Sequence, residues 1–168
     1  MDTVIKNIEI ILADYLDPEQ AQHIGILLND YALDTMGGGK ALAKDVIENL
    51  ASTLATIPHA FTILAYVDNQ PAGMINCFEG FSTFSCKPLI NVHDVMVVAH
   101  FRGLGLSHMM MEKVEEIARK RKCCKITLEV LEGNKIAQNL YSKQGFAAYE
   151  LNPEIGKACF WEKTLKYA

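Results

Sequence analysis

Apolar and polar positions change period several times along this chain of 168 residues. Ile8 to Ala13 is a short apolar run that predicts a first strand. Asp17-Pro18-Glu19-Gln20 then reads as a helix start, with aspartate as N-cap, proline at the first helical position and glutamine three residues after the cap. Ile24, Leu27, Leu28 and Tyr31 follow at helical spacing. Beyond Met36-Gly37-Gly38-Gly39, a second amphipathic helix carries Leu42, Val46, Ile47, Leu50 and Leu54 and ends before Pro58. The period then shortens to two. Phe61 to Val67 and Ala72 to Phe78 are strand-like runs around the turn signal Asp68-Asn69-Gln70-Pro71, and Leu89 to Val98 is a third. A glycine-containing loop leads into a helix with Leu106, Met110, Val114, Ile117 and Ala118 on one face and charge on the others. Ile126, Leu128 and Val130 predict the next strand, Lys135 to Gln144 a short helix stopped by Gly145, and Ala158 to Leu165 a closing strand.

The predicted order is β, α, α, β, β, β, loop, α, β, α, β. Strands flank each later helix, so the fold class is a mixed α/β sheet, with a parallel pair where Leu89–Val98 and Lys125–Leu131 straddle the third helix. No internal repeat, low-complexity tract or linker interrupts residues 1–168, which read as one domain.

Composition narrows the function classes. With 50% hydrophobic and 21% charged residues the chain can fill a core and is too apolar for disorder. Sixteen basic against 20 acidic side chains give a net charge of −4, which argues against sequence-independent nucleic-acid binding, since that needs a cationic face. The charge is uneven: residues 1–84 hold 3 basic and 11 acidic side chains, net −8, and residues 85–168 hold 13 and 9, net +4. Either the halves face ligands of opposite sign, or two solvated surfaces simply differ. Five cysteines form no CxxC, and with five histidines they show no metal-ligand spacing. Met1-Asp2-Thr3 begins no signal peptide and no apolar run suits a membrane span, so a cytoplasmic protein with reduced thiols is expected.

The strand–glycine loop–helix unit at 95–118 carries the first chemistry. A glycine turn entering a helix leaves backbone N–H groups pointing one way, and with the helix dipole they favour phosphate. The dinucleotide fingerprint GxGxxG fails, because His108 occupies the third glycine position. A Walker loop fails at Met36-Gly37-Gly38-Gly39-Lys40-Ala41, which lacks both the earlier glycine and a Ser/Thr after Lys40. What remains is Arg102-Gly103-Leu104-Gly105-Leu106-Ser107, an R-G-x-G-x-small loop that a plain tight turn would also explain.

Further on stands Asn134-Lys135-Ile136-Ala137-Gln138-Asn139-Leu140-Tyr141-Ser142-Lys143-Gln144-Gly145-Phe146, or N-x-x-A-x-x-x-Y-x-x-x-G-F. With these two motifs in this order the chain resembles the GNAT superfamily of acyl-CoA-dependent N-acyltransferases, closely over residues 89–165 and by element pattern before that. Ser107 departs from the family's usual glycine or alanine but is small. The resemblance implies a twisted mixed sheet of six to seven strands with about four helices, an acceptor-side half at 1–88 and an acetyl-CoA-binding half at 89–168. It implies that the backbone of Arg102, Gly103, Leu104, Gly105, Leu106 and Ser107 cradles the CoA diphosphate. Met96, Val97 and Val98 would pair with the pantetheine arm at a splayed strand edge, and the Val97 N–H would face the acetyl carbonyl oxygen, the kind of donor typically worth about 2.7–4 kcal/mol to an oxyanion. Asn134 would contact the cofactor amide or serve as a plain N-cap. Tyr141 stands at the family's general-acid position, where a phenol protonates the departing thiolate; otherwise it is a core residue.

An acceptor amine must lose a proton near the thioester. The family often places a base on the strand that includes Asn91-Val92-His93-Asp94-Val95, where alternation puts His93 and Asp94 on opposite faces. His93 is the first choice and Asp94 the second, against a structural role for a strand histidine. Glu79 would either relay a proton or, with Asp34 in the same acidic half, favour a cationic amine, and Phe78, Phe81 and Phe84 either wall the acceptor pocket or pack in the core. Gly37-Gly38-Gly39 would be a lid or a mere connector. The expected function is transfer of acetyl from acetyl-CoA, without a metal, to a small-molecule amine, with neither nucleic acid nor membrane as partner; the sequence leaves the oligomeric state open, though a final strand bearing Phe160 and Trp161 could support a homodimer. The rival is a non-catalytic acyl-CoA-binding sensor or interaction module, which needs the glycine loop but neither Tyr141 nor a base.

Overall fold

The computed structural model describes residues 6–150 and 152–165. The chain groups into two units, Met1–Leu128 and Glu129–Ala168; the expected halves, acceptor-side at 1–88 and cofactor-side at 89–168, would divide earlier.

The first unit is built on a sheet in the order β1 (Ile8–Leu12), β2 (Ala60–Val67), β3 (Gln70–Ser82), β4 (Lys87–Val97) and β5 (Ile126–Leu128). The first three pairings are antiparallel and β4–β5 is parallel, the mixed arrangement that strands flanking a helix require. Asp68 and Asn69 turn β2 into β3 with φ of 50° and 63°, positive values that suit a tight hairpin and that short polar side chains tolerate. Both faces of the sheet are covered. Helix α1 (Pro18–Leu33) and helix α2 (Lys44–Leu54) bury Ile24, Leu27, Ala51 and Leu54 against Leu64, Met74 and Met96. Helix α3 (Leu106–Lys120) lies on the other face; a Cβ on Gly73 would come within 3.0 Å of Met110 Cε.

Local chemistry explains the helix ends. The Asp17 carboxylate accepts from the N–H groups of Glu19 and Gln20 at 2.9 and 3.1 Å and caps α1, as the sequence predicts. Helix α2 begins at Lys44 and not near Leu42, whose N–H is instead held by Asn29 Oδ1 at 3.0 Å.

Helix α4 (Lys135–Lys143) belongs to the second unit, capped by Asn134. The closing strand expected at Ala158–Leu165 is not formed. Only an isolated bridge joins Glu150 and Lys157, and Phe160, Trp161 and Leu165 are exposed. An apolar alternation becomes a strand only when a partner edge accepts its ladder. The sheet therefore has five strands among the described residues, one or two fewer than expected, and β5 stops short of Val130.

Candidate active site

The register of β4 shifts in its middle. Cys77 faces Val92 and Asn76 faces Asp94, so two steps on β4 answer one on β3 and His93 is the extra residue of a β-bulge. This reverses the expectation that His93 and Asp94 lie on opposite faces. The His93 ring meets Phe78 edge-on at 5.6 Å, and Phe78 packs with the α1–α2 cluster. The Asp94 side chain accepts from Asn76 Nδ2 at 3.0 Å on that same face. His93 Nδ1 and Asp94 Oδ1 consequently stand 3.3 Å apart, with the imidazole 62% and the carboxylate 18% exposed. An imidazole open to solvent thus adjoins a largely sheltered carboxyl group.

A polar row runs back from this pair across the sheet. Thr62 pairs with Asn76 and Asn76 with Asp94. Thr62 Oγ1 donates to Asn76 Oδ1 at 2.7 Å, and Tyr15 Oη lies 2.9 Å from Thr62 Oγ1. Thr62 and Asn76 are 0% and 3% exposed. Burial pushes the Tyr15 phenol above its usual value, and the Tyr31 phenol is raised by burial and then by the charges of Asp94 and Asp34. Sequence reading missed Thr62 and Asn76. Their signal was a polar residue inside each of two otherwise apolar strand runs.

Toward its end β4 opens. The Val98 N–H donates to the Ala72 carbonyl at 2.9 Å, and successive N–H groups of a strand point to opposite edges. The Val97 N–H therefore faces the β5 side, where β5 pairs only with Ile90, Asn91 and Val92. The loop that follows holds Gly103 and Gly105 at φ of 86° and 78°, left-handed values that glycine adopts at little cost. Gly105 is the N-cap of α3 and supplies no side-chain cap, unlike Asp17 for α1. Met109 N–H bonds back to the Gly105 carbonyl at 3.1 Å, so the N–H groups of Leu106 and Ser107 ahead of it have no intrahelical acceptor. Such donors at the positive end of a helix fit the acceptor-only oxygens of a diphosphate.

The Arg102 side chain turns away from this loop. Its Nε donates to the Val97 carbonyl at 3.1 Å and its Nη2 to Asp34 Oδ2 at 2.8 Å. The Met36 N–H and then the Arg102 guanidinium hold the Asp34 carboxyl below its usual value. Asp34 thus joins the end of α1 to the glycine loop. Glu79 lies on the α3 face, paired with Arg121 at 3.1 Å, whose guanidinium lies over the Phe61 ring. Alternation puts Phe81 on the same side of β3, opposite Pro88 and exposed. The structure does not bring Glu79 and Phe81 to the face that carries His93, and Phe81 and Phe84 are exposed rather than packed in the core.

Within the second unit, Asn134 Oδ1 accepts from the Ala137 N–H at 3.1 Å, the N-cap alternative for this residue. Tyr141 is the buried residue of α4 and meets Phe146 edge-on at 5.9 Å. No described helix is long and apolar enough to cross a membrane.

Comparisons with known proteins agree with this architecture. A model of the acetyltransferase (GNAT) family matches residues 27–146. The thialysine N-epsilon-acetyltransferase of Caenorhabditis elegans is 28% identical over 143 residues, 82% of this chain and 81% of that one. A possible acetyltransferase from Clostridium difficile 630 has the same fold, with a TM-score of 0.77 and 18% identity over 95% of this chain and 99% of that one. So has an aminoglycoside N-acetyltransferase in complex with CoA, with a TM-score of 0.74 and 15% identity over 97% and 99% of the two chains.

Proposed function

The chain belongs to the GNAT acetyltransferase family, and from that premise we propose that it moves an acetyl group from acetyl-CoA to the primary amine of a small cationic acceptor, with both substrates bound together. One observation carries this reading: along β4, an accessible imidazole beside a sheltered carboxylate is followed by an open edge and then by a helix start with no side-chain cap.

Acetyl-CoA supplies an activated thioester. The backbone of Arg102, Gly103, Leu104, Gly105, Leu106 and Ser107 holds its diphosphate, while Met96, Val97 and Val98 hold the pantetheine arm. The Val97 N–H faces the carbonyl oxygen, where charge develops during attack. The Arg102 side chain, spent on Val97 and Asp34, acts by keeping the loop against the strand end. His93 takes the proton of the acceptor ammonium, beside Asp94. The amine nitrogen attacks the thioester carbon, the C–S bond breaks, and Tyr141 gives a proton to the departing sulfur and regains one from the second proton the nitrogen sheds, a feasible transfer between groups with reference pKa values near 10 and 8.5. Asn134 caps α4 and so orients the helix that carries Tyr141.

The acidic character of residues 1–84 and the grouping of Tyr31, Asp34 and Asp94 support a cationic acceptor. A relative whose name places its reaction on the ε-amine of thialysine supports an amine of this kind. Tyr141→Phe and His93→Gln, assayed for thiol release at several pH values, test the two proton roles. The expected result is a lowered kcat in each. Unchanged turnover by Tyr141→Phe across the range removes the acid assignment.

A further inference from the structure

The polar row behind His93 has a direction. An ionised Asp94 only accepts hydrogen bonds, so the amide nitrogen of Asn76 must face it, as it does at 3.0 Å. The Asn76 carbonyl is then turned to Thr62, which must spend its single hydrogen there, at 2.7 Å. Thr62 can now only accept from Tyr15, so the phenol is the donor across the 2.9 Å contact. Three residues, Tyr15, Thr62 and Asn76, thus each donate one hydrogen along a row that ends at Asp94. Reversing any one bond would strand a buried donor or acceptor, since Thr62 and Asn76 are out of water.

From this we infer that Asn76, with Thr62 and Tyr15 behind it, is a positioning residue that holds Asp94 as an acceptor and so presents His93 to the acceptor amine through Nε2. The inference rests on the reading of His93 as the base. Asp94 Oδ1 stands 3.3 Å from Nδ1, without the alignment of a hydrogen bond, and at that distance a negative oxygen favours a hydrogen on Nδ1 over a lone pair there. The neutral ring therefore carries its hydrogen on Nδ1 and leaves Nε2 bare. When the acceptor ammonium gives up a proton, it goes to Nε2; the Nδ1–H stays on the ring and Asp94 stays ionised. Further polar groups around this corner include His59, across Phe78, the Cys77 thiol, which feels the Asp94 charge, and, from α1 and its C-cap, Tyr31 and the Arg102-paired Asp34. The bulge makes the arrangement possible, because it turns His93 and Asp94 to the face on which the row runs.

The test uses the full chain with 15N-labelled histidine, His93 being assigned by difference from His93→Gln. Long-range nitrogen–proton correlation spectra report which ring nitrogen carries the hydrogen. The wild type is expected to show the Nδ1–H form for neutral His93. Thr62→Val keeps the volume but removes the hydroxyl, and is expected to shift His93 toward Nε2–H. It should also lower kcat about tenfold, the loss of roughly one hydrogen bond, with KM for acetyl-CoA unchanged. Thr62→Ser keeps the hydroxyl but loses the methyl and is expected to restore both readouts; a packing role would give the opposite ranking. Tyr15→Phe removes the first donor without touching the site and should act in the direction of Thr62→Val. A wild-type His93 with its hydrogen on Nε2, or a Thr62→Val protein with unaltered tautomer and kcat, overturns the inference. The predicted tautomers in a protein that transfers no acetyl group would sustain the positioning row and count against the proposed activity instead.

Discussion

Gly105 offers the sharpest handle on the loop proposed to hold the diphosphate. It has φ 78° and ψ 9°, a left-handed conformation that costs an L residue about 1–2 kcal/mol. A Cβ at this position would meet only Met109 Cε at 3.9 Å, an ordinary contact, so the cost of alanine is conformational and not steric. That cost can surface in two ways. If the loop keeps its shape, the folded state loses about 1–2 kcal/mol and Tm falls by roughly 2–8 °C for a chain of this size. If the loop relaxes to negative φ, the N–H groups turn from the ligand and acetyl-CoA affinity falls about 5–30-fold. The two losses should together come to about 1–2 kcal/mol in Gly105→Ala, less in Gly105→Asn and more in Gly105→Val, because asparagine tolerates the left-handed region and β-branched residues do not. Urea denaturation and calorimetric titration with acetyl-CoA measure both parts. Wild-type stability and affinity in Gly105→Ala would refute the reasoning, as would a series in which asparagine is as damaging as valine.

Other consequences of the structure are open to direct measurement. Gly25→Ala would place a Cβ 2.3 Å from the Ile47 carbonyl oxygen and force α1 from α2, so a stability loss of about 1–3 kcal/mol is expected; an unshifted denaturation midpoint would contradict that close approach. Burial pushes the Cys77 thiol well above its ordinary value, while Cys86, Cys124 and Cys159 are exposed. Iodoacetamide near pH 8 should therefore alkylate those three and spare Cys77 until the protein unfolds, as peptide mass spectrometry can show. The Asp34 carboxyl is held below its ordinary 3.8, first by the Met36 N–H and then by Arg102. A depressed carboxyl stabilises the fold above the unfolded value and ceases to do so as pH falls through the folded one. Asp34→Asn should thus be less stable than wild type at pH 6 and converge with it on acidification below about 3.8, a gap that salt narrows.

Much of the fold was legible because local chemistry and long-range packing agree. Asp17 with Pro18 announced α1, Asp68-Asn69 announced a hairpin, and the stripe through Leu106, Met110 and Val114 became the buried face of α3. What escaped depends on pairing. The bulge at His93 is a property of two strands in register, and no period-two reading of β4 alone contains it. For the same reason Ala158–Leu165 has the pattern of a strand without forming one. In the sequence Glu79 has the look of an unpaired acidic-half carboxylate, because its partner Arg121 arrives from the far end of α3, 42 residues along the chain. Arg102 shows the reverse: its loop was recognisable from the glycines, but its grip on Asp34 spans 68 residues. Thr62 and Asn76 were readable only as polar interruptions of apolar runs, and their meaning required the row that joins them.

The central claim is chemical: a thioester is opened by an amine in this site. Isotopically labelled acetyl-CoA, incubated with the full-length protein and a panel of small mono- and polyamines, should release thiol in step with the appearance of labelled amide, both read by mass spectrometry and kinetics in one reaction. The account predicts matched amounts of the two products, favouring cationic amines and depressed in His93→Gln. Acetyl-CoA that binds tightly yet releases no thiol above the buffer rate with any amine would contradict it, and would leave a protein that senses the cofactor without consuming it.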